Sequence, residues 1–330
     1  MLKRREFCEL SLLAGLAGVA GCSRGVSSPI LFAASEALPK ELLGALPYPW
    51  KFQALEGQSL TPLSQTVFNA NADLFAIGDG WISEFSKDAF KTIDSPQIAL
   101  RLNKQAEEFL ESFGPEISSR IFPIGVSPWV MLFRNGQEFS PRAKQGWDVL
   151  LDPELAGKLV LPESPRLVMS IADQIDQSDG LRRLRKQALT FDDKNGLNWV
   201  LSGKARVAIL PLYRCFSSLS RDLRLSVSLP QSGTPLHWTL LVRPNKTKEP
   251  FPQSWIAKAW TMPWLGKLLA RGWIPPINAS ELREAIDYVP NSYKEILLPT
   301  KSFWENSWSL SYLSEKKMAR LERLWSQSTP

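Results

Sequence analysis

The chain has 330 residues, 44% of them hydrophobic, with a formal charge of +6 and three cysteines. That length fills one large domain or two of ordinary size and buries a core without covalent staples. The mild positive charge comes with no dense basic stripe, which argues against nucleic acid as a partner. One histidine, no Gly-x-Ser-x-Gly elbow and no Gly-Lys-Ser/Thr phosphate loop argue against a serine hydrolase or an ATPase.

The first segment is basic and then apolar: Lys3-Arg4-Arg5, then Leu10 to Ala20, then Val19-Ala20-Gly21-Cys22. A basic head, a short apolar body and a small-residue exit predict a secretory signal peptide over residues 1–21. The apolar body is too short to span a bilayer, which needs ~20 residues. Small residues before a cysteine resemble the lipobox of bacterial lipoproteins. The resemblance implies that Cys22 is lipidated and becomes the mature N-terminus, with residues 22–29 as a tether. Arg4-Arg5-Glu6-Phe7 resembles a twin-arginine signal, with Lys3 where that pattern has Ser or Thr. Cys8 then leaves with the signal, and Cys215 is left as a lone, buried, apolar thiol.

Ile30 to Ala34 reads as a strand, residues 37–45 as a helix, and Trp50 to Leu55 as a second strand. Thr61 to Phe68 reads as a short helix. Ala72 to Ile77 is a third, buried strand broken by Gly78-Asp79-Gly80, and Trp81 to Phe90 has helical spacing. Strand, helix, strand in this order marks an α/β sheet with parallel strands. Ile98 to Phe113 reads as one amphipathic helix stopped by Gly114-Pro115. Phe122 to Gly136 reads as a loop feeding a long apolar strand that turns at Asn135-Gly136. Gly146 to Lys158 is a short helix and turn before the strand Leu159 to Leu161, and a helix follows Pro162 to Arg166. The basic run Leu181 to Lys186 has helical spacing and reads as a solvated face or as an attraction to an anionic membrane. Asn195 to Leu201 ends a helix. Ala205 to Leu210, Leu223 to Leu229 and Trp238 to Val242 read as strands, and the chain from Trp255 onward is mostly helical.

Asp73 to Ile82, Gly146 to Leu161, Asn195 to Pro211 and Arg271 to Asn278 together resemble the bacterial extracellular solute-binding proteins. The nearest branch is the spermidine/putrescine-binding type. The resemblance implies a periplasmic-binding-protein-like α/β fold of type II, two α/β lobes with a ligand cleft between them. It implies one lobe from residues 28–125 plus 240–330, a second from 126–239, and crossings near 125–135 and 232–240. It further implies a small-molecule ligand, a polyamine-like cation as first choice, delivered to an ABC permease by a monomer anchored to the membrane through its lipid. No cofactor or metal is implied, and the location is the periplasmic or envelope face.

Carried over residue by residue, the resemblance makes Ser35, Glu36, Asp79, Trp81, Glu163, Ser164, Tyr213, Arg214 and Trp238 the candidate ligand contacts. The acid that grips an ammonium in the polyamine branch is replaced at Trp238-Thr239, and Arg166 or Arg214 offers a bidentate anchor for an anion instead. Asp79 reads either as a contact or as a turn carboxylate, and Glu163 either as a contact or as a helix-start carboxylate. Trp81, Trp129 and Trp238 read either as core or as cleft. The competing functional reading is an exported enzyme or envelope assembly factor on the same scaffold. His237 beside Cys215 or a carboxylate would favour it.

Overall fold

The computed structural model describes residues 28–34, 36–55, 71–84 and 86–329. The predicted signal peptide with Cys22, the candidate contact Ser35 and the predicted Thr61 to Phe68 helix lie outside the described residues. Among the described residues no helix is long and apolar enough to cross a membrane.

The predicted βαβ pattern builds a parallel trio at one end of the sheet. Strands β1 (Ile30–Ala34), β2 (Lys51–Leu55) and β3 (Leu74–Gly78) pair in the order β2-β1-β3. β1 and β3 are buried because their apolar runs are covered on both faces, as a parallel sheet requires. A two-residue strand β4 (Phe90–Lys91) follows. The long strand β5 (Ile121–Arg134) then runs through Pro123 and Pro128 without a break. The expected loop before it is absent. At Pro128 the ladder passes from one partner strand to another, which is where a residue lacking N–H is tolerated. The expected helix from Ile98 to Phe113 is split into Pro96–Ala99 and Lys104–Glu111, with Asn103 capping the second at the Ala106 amide. The expected helix from Trp81 to Phe90 is two 3-10 turns and β4.

The second half of the sheet contains β6 (Leu159–Leu161), β7 (Ala188–Phe191), β8 (Val207–Pro211) and β9 (Leu225–Ser228). β6 is parallel to both β7 and β8, while β8 and β9 run antiparallel to β5. Strand β10 (Pro235–Pro244) returns antiparallel between β3 and β5, and the short β11 (Trp308–Ser309) lies parallel beside it. The full order is β2-β1-β3-β10-β5-β8-β6-β7. Two apolar clusters form the core. One holds Leu31, Phe75, Phe109 and Trp238 and continues into the second half through Val160, Ala208 and Leu210, and the other holds Met131, Phe133, Trp147 and Ile209.

The last segment crosses from one half to the other. Tyr312 packs near Phe113, while Leu310 and Trp325 pack on the second cluster. Trp325, on the helix Glu315–Gln327, meets the Arg185 guanidinium at 3.9 Å and the Phe191 ring edge at 5.6 Å.

Candidate functional site

The register fixes where the strand ends meet. β3 ends at Gly78, opposite Thr239, which in turn pairs with Gly125 of β5. β8 runs the other way and ends at Pro211, opposite Trp129 of β5. The carboxyl ends of the two parallel sets therefore face each other across residues 125–129, a gap of about 13 Å at ~3.3 Å per residue. Ligands of open α/β sheets sit beyond strand carboxyl ends at such a switch point. Residues from β5 and β10 form the floor of the gap. Ser127 pairs with His237 and Gly125 with Thr239, so these four share one face. Leu236 and Val126 line a separate cavity of about 760 Å³ on the opposite face, between the helices Lys104–Glu111 and Ala279–Ala285.

The turn after β3 brings Asp79 to the floor. Its carboxylate is 8% exposed and lies 3.5 Å from His237 Nδ1. It also accepts the Trp238 amide at 3.2 Å. Burial raises its proton affinity to about 7, against the pull of that amide, the turn amides and the Arg166 charge. His237 moves the other way. Burial, and then the positive charge of Arg214, push it down to about 4. Its ring stacks on Tyr213 at 5.8 Å and meets Trp129 edge-on at 6.2 Å.

Tyr213 and Arg214 open the helix Leu212–Leu219 directly after β8. The Tyr213 amide donates to Ser127 Oγ at 3.2 Å, which ties the second half to the floor. Burial raises the Tyr213 phenol, and Asp193, Glu36 and Asp79 all act on it electrostatically. Arg214 Nη1 sits 3.3 Å from Asp193 Oδ2. Arg166 opens the helix Pro165–Ala172 and donates through Nη2 to the Ser311 carbonyl. The Trp273 ring lies over Gly125, where a Cβ would stand 2.3 Å from its Cζ2, and edge-on to Tyr213 at 5.7 Å. Only glycine leaves room for that indole.

The crystal structure of a spermidine/putrescine ABC transporter substrate-binding protein from Streptococcus pneumoniae superposes with a TM-score of 0.64 at 13% identity. The match covers 91% of this chain and 98% of that one. A Treponema pallidum lipoprotein matches with a TM-score of 0.64 at 13% identity, over 92% of this chain and 99% of its own. Apo ferric ion-binding protein A of Pasteurella haemolytica matches with 0.59 at 13%, over 91% and 98%. The fold is that of the two-lobed periplasmic binding proteins. No protein-family model and no curated protein matches the sequence.

In this periplasmic-binding fold the candidate residues separate. Asp79, Tyr213, Arg214 and the exposed Glu36 form one electrostatic cluster with His237. Trp81 stands two residues after Asp79 and is 40% exposed, so its ring has surface to offer. Glu163 is exposed at the end of β6, with its amide donating to Asp193 Oδ1. Ser164 caps the helix it precedes, its hydroxyl accepting the Leu167 amide. Trp238 has to be corrected. Its ring is 0% exposed, stacked on Phe109 at 4.5 Å, with Nε1 donating to Ser309 at 2.8 Å. Strand alternation sends it to the face opposite His237, so its ring is core.

His237, Trp273 and Ser127 were not among the candidate contacts. A lone histidine gave no sequence pattern to read. Trp273 stands in the Arg271 to Asn278 segment that carries the resemblance, but nothing there assigned it a contact.

Proposed function

We propose that the chain is a solute-binding receptor. It would take a small amine-bearing solute between two lobes and present the closed form to a membrane permease. The observation that carries this reading is the opposed pair of strand ends across residues 125–129, lined by Asp79, Tyr213 and His237. Glu36, Asp79 and Glu163 offer carboxylates to an ammonium, and Trp81 and Tyr213 offer aromatic faces to its carbon chain. Residues 28–125 plus 240–330 and residues 126–239 remain the proposed lobes, with β5 and β10 as the crossings. Lobes of this kind close on ligand by a hinge. Lipidation at Cys22 would hold the receptor beside its permease and raise its effective concentration there.

The enzyme reading has one observation in its favour, the carboxylate of Asp79 beside His237. Among the described residues it lacks a nucleophile. Ser127, opposite His237, is 3% exposed and spends its hydroxyl on the Tyr213 amide. Cys215 is buried, its thiol pushed up to about 12 and donating to the Leu212 carbonyl. A histidine pushed down to about 4 is also a weak base at neutral pH.

Thermal melts of the chain with polyamines, amino acids, sugars and small anions test the receptor reading. A true solute at ~100 Kd adds ~2.7 kcal/mol and raises the melting temperature. A panel without any such shift contradicts it.

A further inference from the structure

The two halves offer the cleft opposite chemistry. Glu36 and Asp79 come from the first half and are both acids. Arg166 and Arg214 come from the second half, each in the first turn of a helix that starts at the cleft. Both guanidiniums act on cleft groups, Arg166 on Asp79 and Arg214 on His237 and Tyr213. Each has a terminal nitrogen bonded, Arg166 to the Ser311 carbonyl and Arg214 to Asp193. A guanidinium carries five N–H groups, so both keep donors to give. The two helix N-termini add partial positive charge on the same side. Among the second-half acids, Asp193 is engaged with Arg214 and the Glu163 amide, and Glu163 is exposed at the rim.

A second, independent observation concerns Trp273. It is 3% exposed, and its indole N–H is without a hydrogen-bond partner among the described residues. The ring covers Gly125 on the face that carries Ser127, His237 and Thr239. A buried donor of this kind calls for an acceptor. An ammonium group has donors only, so a pure polyamine leaves both the indole and the guanidiniums unmet.

We infer that the cleft takes a zwitterionic, amino-acid-like solute. Its ammonium faces Glu36 and Asp79, and its carboxylate faces Arg166, Arg214 and the Trp273 N–H. The inference rests on the receptor reading and narrows it to one class of solute.

Calorimetric titration of the full chain with matched pairs tests it. Ornithine and putrescine differ by one carboxylate, as do arginine and agmatine. The expected result is an amino acid that binds at least ~10-fold tighter than its amine, as loss of a charged hydrogen bond implies. Arg166→Gln and Arg214→Gln should each shrink that gap by weakening the amino acid more than the amine, and ligand-free melts of both variants separate lost contact from misfolding. An amine that binds as tightly as its parent amino acid overturns the inference. If none of the four binds, the solute captured from a metabolite mixture decides. A zwitterion supports the inference, and a pure cation or anion overturns it with the receptor reading intact. No captured solute at all overturns both.

Discussion

Replacing Trp238 with alanine should lower the unfolding free energy by ~3–5 kcal/mol, the range for truncating a large buried aromatic. The ring is 0% exposed and lies parallel to Phe109 at 4.5 Å, so the truncation opens a cavity in the first apolar cluster. It also strands Ser309, which accepts the indole N–H at 2.8 Å and belongs to the strand beside β10. Trp238→Phe should cost less, since a phenyl ring keeps part of the stack and loses that hydrogen bond, worth ~1 kcal/mol, and the volume of one fused ring. Urea unfolding followed by circular dichroism measures both. A Trp238→Ala variant with unchanged stability and weakened solute binding would return the ring to the cleft.

The second large effect concerns Asp79 and His237. Their ordinary values of 3.8 and 6.5 become about 7 and about 4 in the folded chain. Between pH 4 and 6.5 the unfolded chain therefore holds one proton, on the histidine, and the folded chain also holds one, on the carboxyl. The two shifts offset each other, and this pair adds little pH dependence in that window. Single substitutions expose each half. Asp79→Asn leaves a histidine whose proton affinity falls on folding. Its contribution is present above pH 6.5 and is lost as the pH falls through 4, so stability should rise with pH between those values. His237→Gln leaves a carboxyl whose proton affinity rises on folding. Its contribution is present below pH 3.8 and is lost as the pH rises through 7, so stability should fall with pH. Each slope is limited to ~1.4 kcal/mol per pH unit. Urea midpoints at several pH values read both slopes, and matching flat profiles for the two variants would refute the pairing.

Much of the fold could be read from local pattern. The apolar runs at Leu31, Phe75 and Val160, each closed by polar or glycine residues, give β1, β3 and β6, because buried parallel strands need no alternation. Pattern failed where tertiary pairing overrode it. Pro123 and Pro128 read as loop residues, yet β5 passes through both, because its ladder shifts register beside Pro123 and changes partner at Pro128. Asn103 cut a helix that hydrophobic spacing ran together, by capping its second half.

The site was legible where it hangs on strand ends and illegible where it depends on register. Asp79, Tyr213 and Arg214 each follow a recognisable strand, so their position could be read. Trp238 and His237 are neighbours on one strand, and a one-residue choice of face decides which lines the cleft. The resemblance put the tryptophan there because the family has an aromatic near that position. The pairing of His237 with Ser127 puts the histidine there instead. Trp273 joins the floor through contacts with Gly125 and Tyr213, both distant in sequence, that no local pattern encodes.

The most direct test of this account is a crystal structure of the chain grown with the solute that most raises its melting temperature. That solute is expected over residues 125–129, in contact with Tyr213 and between Asp79 and Arg214. Solute held instead in the cavity of about 760 Å³ between the helices Lys104–Glu111 and Ala279–Ala285, with the Asp79–His237 floor untouched, would contradict it.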